Sequence, residues 1–411
     1  MKFLSNIYRP DAKVGQFLWV LALSGIAYGL YRGIQDNYLS EMLNIDEFER
    51  GIVEFFRETP GLLVMMILAL MYRFSATRIF KIGLAFMTAG LAGMLFFSTS
   101  FTGMKFVFVI FMVVFSTGEH INMPIRTTIS LDLAKQEKSG MSLGISSAIG
   151  QMGHIAGFLM VTGAFFFFSR NDFERTDILP YRVIFAASSA LMILSVMISL
   201  AMKETTTQTK RRRFYFHKKF FKYYMLEVFY GARKQIFLTF GPYVLIRHPY
   251  YNADTSVISL LMAICAIFGF FFSPLVGKLI DRLGYKFIMV TDTLILIVVC
   301  LLYGFAHIIF PKEIAFIVVC ANYILDSIIS LGSMASNVYV QRIASNKEEV
   351  TATLSTGISV NHLISITIAL MGGWIWRKTG IEVLFSLSAV LGIINSIYAA
   401  TIKKSEEASP A

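Results

Sequence analysis

The sequence predicts an all-α membrane protein of twelve transmembrane helices, arranged as two pseudo-symmetric six-helix bundles. Three observations predict it. Of 411 residues, 56% are hydrophobic and only 15% charged, where a soluble domain carries about 25% charged residues. Twelve apolar stretches each approach the ~20 residues that cross a bilayer at 1.5 Å per residue. The basic residues between them alternate in count from loop to loop, as membrane topology requires.

The spans fall at 15–39, 48–71, 82–100, 105–129, 140–167, 181–202, 223–246, 255–276, 287–309, 313–340, 354–376 and 381–402. The first is too long for a leader peptide, and eleven more follow, so it is expected to be retained. The second carries Glu54, Arg57 and Glu58 in its outer half. The fourth holds Gly118, Glu119, His120 and Pro124, and the fifth opens on Gly140, Gly144 and Gly150. Cys265, Cys300 and Cys320 lie in spans eight, nine and ten without metal-ligand spacing, so they read as small packing residues. With the N-terminus inside, the inner segments hold 23 Lys and Arg, and the outer connections with their adjoining span ends hold nine. Both termini are therefore expected in the cytoplasm of a bacterial inner or plasma membrane. Topology also accounts for the net charge of +11, so nucleic acid is not an expected partner. The remaining five basic residues lie within spans: Arg32, Arg57, Arg126, Arg233 and Lys234.

Residues 203–222, KETTTQTKRRRFYFHKKFFK, separate an N-terminal bundle (1–202) from a C-terminal bundle (223–411). This basic, aromatic stretch suits an anionic inner leaflet. The halves repeat one another weakly. Tyr28-Gly29-Leu30-Tyr31-Arg32 is echoed by Tyr230-Gly231-Ala232-Arg233, and Glu137…Gly144-Ile145-Ser146 by Glu348…Gly357-Ile358-Ser359. Repeated six-span halves place substrate between them near the midplane.

Gly277-Lys278-Leu279-Ile280-Asp281-Arg282-Leu283-Gly284-Tyr285-Lys286 resembles the Gly-x-x-x-Asp-Arg-x-Gly-x-Lys/Arg signature of the major facilitator superfamily, at the position of that family's second copy. The resemblance spans essentially the whole chain. It implies a secondary transporter working by alternating access, with spans 1, 4, 7 and 10 lining a cavity. Gly277 and Gly284 are expected to allow a tight turn, with Asp281 and Arg282 in a gating charge network. The first-half copy, Tyr72 to Lys81, keeps the basic residues but lacks the Asp and both glycines.

An ionised side chain at a helix centre costs about 2.5–3.5 kcal/mol on insertion scales, so such residues line wet cavities or pair with each other. Tyr28, Arg32, Gln35 and Asp36 share one helical face, as do Tyr230, Arg233 and Phe237. Arg32 and Arg233, with Tyr28, Tyr230 and Lys234, are expected to bind an organic anion, since guanidinium grips phosphate or carboxylate with two hydrogen bonds. Two such arginines with neighbouring tyrosines are similar to the organophosphate:phosphate antiporters of the superfamily. The alternative pairs Arg32 with Asp36, and Arg233 or Lys234 with Glu227. Asp36, Glu119, His120 and Asp326 are expected to carry coupling or the internal charge network, because burial and nearby charge tune a carboxylate's proton affinity. The stripes Ser147, Gln151, His154 and Ser355, Ser359, His362 are expected to face a cavity or another helix.

No phosphate-binding Gly-rich loop, zinc-protease helix or nucleophile–base pair occurs in the sequence. The expectation is a monomeric transporter, not an enzyme, with no cofactor or metal. Its partners would be a small-molecule substrate, lipid and a coupling proton or counter-substrate. The competing readings are a proton-coupled exporter of lipophilic or cationic compounds, which would use Glu119 and Asp326, and a membrane sensor without flux.

Overall fold

The computed structural model describes residues 6–9, 14–98, 102–204 and 216–402. Residues 205–215 of the basic linker, and both chain termini, lie outside the described residues. The described chain is helical, with one isolated bridge, Tyr8 to Ala134, and no strand. We number the helices α1 (Val14–Asn37), α2 (Glu47–Leu70), α3 (Ala76–Phe96), α4 (Lys105–Leu133), α5 (Ser139–Arg170) and α6 (Ile178–Leu200). The second half holds α7 (Phe221–Arg247), α8 (Thr255–Leu283), α9 (Tyr285–Ile309), α10 (Lys312–Ile343), α11 (Lys347–Thr379) and α12 (Ile381–Ala400). Helix α1 widens into a π turn at Tyr38–Met42, and α10 tightens to a 3₁₀ turn at Ser330–Ser333.

Local chemistry sets several of these boundaries. Ser75 caps α3 by accepting a hydrogen bond from the Arg78 amide, and Asn346 caps α11 by accepting from the Glu349 amide. Gly284 separates α8 from α9 at φ +83°, and Gly380 separates α11 from α12 at φ +89°, a region that favours glycine. Leu70, Phe96 and Phe106 are 83%, 80% and 73% exposed, as suits side chains whose solvent is lipid.

Among the described residues, ten of the twelve numbered helices are long and apolar enough to cross a membrane by length and composition. The other two, α2 and α7, also read as apolar spans in the sequence. Their charges set them apart: Glu54, Arg57 and Glu58 on α2, and Glu227, Arg233 and Lys234 on α7.

Contacts divide the chain into two units. The first comprises the described residues of Met1–Asn44, Pro60–Arg212 and Asp254–Ala266. In it α1 packs on α5 and α6, and α3 on α4 and α6. The α1–α5 seam is built of small residues: a Cβ on Gly25 would sit 2.8 Å from the Gly150 carbonyl oxygen, and one on Gly153 2.9 Å from the Gly25 Cα. Backbones that approach so closely hold helices together where lipid removes the hydrophobic drive. The second unit comprises Ile45–Thr59 and the described residues of Arg213–Ala253 and Ile267–Ala411. There α9 packs on α10 and α12, and α7 on α11 and α12.

Candidate functional site

Helix α4 carries two opposite charges, Glu119 and Arg126, seven residues apart. Seven residues make about two turns, so both residues sit on one face, with Cα atoms roughly 10.5 Å apart along the axis. Both line a single cavity of ≈ 230 Å³ in the first unit. Helix α1 contributes Ser24 and Tyr28, α3 contributes Phe80 and Met87, and α5 contributes His154. The Tyr28 and His154 rings lie 4.6 Å apart between centroids. Glu119 and Arg126 are close enough to interact electrostatically. Among the described residues, neither makes an ion pair or a side-chain hydrogen bond. The cavity thus holds one positive and one negative group, each exposed to whatever fills it.

Of the residues expected at the site, the structure brings Tyr28 and Glu119 together here. Arg32 and Asp36 are buried further along α1, and neither lines this cavity. His120 is buried, with Nδ1 2.8 Å from the Ser116 carbonyl oxygen one turn back. Arg126 is visible in the sequence only as an intramembrane charge. Its spacing from Glu119, at two turns of one helix, is the available signal.

In the second unit the expected ligands are arranged differently. Arg233 is 1% exposed. Its Nη2 donates to Asp292 Oδ2 of α9 at 3.0 Å, and its guanidinium lies 4.8 Å from the Tyr230 ring centre. The hydroxyl of Tyr230 donates to the Ser330 carbonyl at the start of the 3₁₀ turn in α10. Glu227 accepts from Ser336 at 2.9 Å and from Asn361 at 3.3 Å. The partner of Arg233 is therefore Asp292, where the internal-pairing alternative names Glu227. Asp326 on α10 interacts electrostatically with Arg233 and Lys234, and Lys234 is exposed.

The signature loop needs one correction. Gly284 makes the turn, but Gly277 lies inside α8, which continues to Leu283. A Cβ at Gly277 would meet nothing within 4 Å, so neither a turn nor close packing requires glycine there. Asp281 and Arg282 are exposed in the last turn of α8, and neither forms an ion pair among the described residues. The loop's final lysine is anchored: Lys286 Nζ donates to the Ile402 carbonyl at 2.7 Å, at the end of α12. The first-half copy does the same, with Lys81 Nζ 3.3 Å from the Met202 carbonyl at the end of α6. A cation at a helix C-terminus meets the negative end of the dipole and its unsatisfied carbonyls.

A further charged cluster sits on α2. Arg50 Nη1 donates to Glu54 at 2.9 Å, Arg57 donates to Glu54 at 2.7 Å and also binds Glu58, and Gln235 of α7 donates to Glu54 at 3.0 Å. Glu58 lies 3.0 Å from His362 Nδ1 of α11. Arg50 and Glu54 are fully buried. The alternating signs at i, i+3 and i+4 pair the charges along one helix face, which lets these four charges stay buried.

A profile of the Major Facilitator Superfamily matches residues 17–360 and 228–411. The chain belongs to that family, and is by class a secondary transporter. Among solved structures it is similar to a mutant form of the nucleoside transporter NupG, with TM-score 0.75 and 14% identity over 94% of this chain and 99% of that one. It is likewise similar to a D-xylose-proton symporter, with TM-score 0.75 and 15% identity over 97% and 100%. A POT family transporter in complex with 5-aminolevulinic acid gives TM-score 0.73 and 12% identity over 95% and 96%. At these identities the likeness establishes the fold. No curated protein matches the chain.

Proposed function

We propose that the protein moves a small organic solute bearing an anionic group across the membrane by alternating access, with Arg126 holding that group. The observation that carries this reading is the Arg126 guanidinium facing the α4 cavity without an ion pair among the described residues. In such a low-dielectric cradle a guanidinium and an oxyanion attract strongly and bond through two parallel N–H donors. Tyr28 and His154 supply hydrogen bonds beside it. Arg233 is committed to Asp292, so the two-arginine grip by Arg32 and Arg233 is not carried forward. Asp326 is the residue we assign to coupling with a proton or counter-substrate. The 23-to-9 split of basic residues supports a cytoplasmic location for both termini.

The test is flux into sealed proteoliposomes from a panel of sugar phosphates, carboxylates, amino acids, nucleosides and lipophilic cations, using wild type and Arg126→Gln. Uptake of an anionic solute that disappears in the variant supports the reading. The exporter alternative draws support from Glu119 among Phe80, Met87 and Met123. It predicts flux of cations that survives Arg126→Gln. Ligand binding without flux would instead make the protein a sensor.

A further inference from the structure

We infer that the substrate is a spaced zwitterion, with its anionic end on Arg126 and its cationic end on Glu119. This rests on the reading of the α4 cavity as the substrate site, and goes further by giving Glu119 a ligand of its own.

Charge balance favours a zwitterion. The cavity presents one guanidinium and one carboxylate, and neither makes an ion pair or a side-chain hydrogen bond among the described residues. A simple anion would satisfy Arg126 but displace water from Glu119, leaving a desolvated charge unpaired, which is strongly unfavourable. A simple cation would do the reverse. A zwitterion satisfies both groups and leaves the site's net charge at zero.

Geometry then restricts the spacing. The Cα atoms of Glu119 and Arg126 are separated by about 10.5 Å along the helix, and the two charged groups do not pair directly. An α-amino acid carries both charges on one carbon, so it meets one protein group well and the other poorly. An ω-amino acid, with a short methylene chain between its ends, meets both. The chain also has apolar wall to lie against, in Phe80, Leu84 and Met87. A cavity of ≈ 230 Å³ has room for a small organic molecule.

Isothermal titration calorimetry on the full chain in detergent tests this with glycine, 4-aminobutyrate, 5-aminovalerate, 6-aminohexanoate, butyrate and butylamine as probes. At least one ω-amino acid is expected to bind tenfold or more tighter than butyrate, and glycine is expected to bind weakly. The near-isosteric Glu119→Gln should abolish the preference for ω-amino acids, lowering their affinity and raising that of butyrate, because it removes the carboxylate that butyrate leaves unpaired. Arg126→Gln should remove both. Equal binding of butyrate and every ω-amino acid, unaffected by Glu119→Gln, would overturn the zwitterion while leaving the anion site standing. Binding of butylamine that survives Arg126→Gln would overturn the anion reading as well. Silence of every probe against correctly folded protein also rejects the zwitterion.

Discussion

Arg126 and Arg233 are both intramembrane arginines, one in each unit, yet they differ in what surrounds them. Arg233 lies fully buried against Asp292 and the face of Tyr230. Arg126 opens onto a cavity that Glu119 of the same helix also lines, and has no ion pair among the described residues. A buried charge must be compensated. Where the protein supplies the partner, the charge is structural. Where the protein leaves the partner out, as at Arg126, the proposed function assigns that place to a ligand. The depth of a charge in the membrane therefore marks a candidate, and its pairing decides its role.

The largest expected effect bears on the structural member of this contrast. Arg233→Ala should lower stability by about 3–5 kcal/mol, because it strands Asp292 as an unpaired buried charge. The double variant Arg233→Met/Asp292→Leu should recover most of that loss. Denaturant titration in detergent measures both. A single variant as stable as wild type would remove the distinction between the two arginines.

Arg126→Gln sharpens the other side. It should leave the unfolding temperature within a few degrees of wild type while weakening an anionic ligand by a hundredfold or more, as loss of a charge-assisted fork implies. A large loss of stability with unchanged binding would reverse the assignment.

The two loop lysines give a smaller and more symmetrical test. Lys81→Met and Lys286→Met should each cost about 0.5–1.5 kcal/mol, since each removes one hydrogen bond to a carbonyl past a helix end. Unequal losses in thermal unfolding would show that the two halves no longer share this device.

The smallest effect is on pH dependence. His248 follows α7, and its burial beside His307 holds its proton affinity below the ordinary histidine range, with Glu382 partly opposing this. The folded state therefore favours neutral His248, while the unfolded chain takes up a proton near pH 6.5. The stabilising contribution is complete above that pH and is lost as pH falls below it. His248→Gln should flatten the decline in unfolding temperature between about pH 6.5 and 5, and a decline as steep as in wild type would refute the assignment.

Much of the fold was legible because its grammar is local. The apolar runs anticipated helices such as α9, expected at 287–309 and found at Tyr285–Ile309. The α8–α9 boundary was legible through Gly284, where a positive φ requires a glycine. Gly277 looked equivalent in the signature, but the helix runs through it. For the candidate site, charge and periodicity singled out Glu119 and Tyr28, and Arg126 was visible only as an intramembrane charge.

The sequence alone determined the membrane class, the helix count and the family, because hydrophobic run length, basic-residue placement and loop motifs are properties of chain order. Tertiary structure decided which charges are paired. Asp292 lies 59 positions from Arg233, and no periodicity connects them. Whether a carboxylate reaches a guanidinium depends on how α9 packs beside α7, because Coulomb attraction and hydrogen bonding act over a few ångströms of space rather than along the chain.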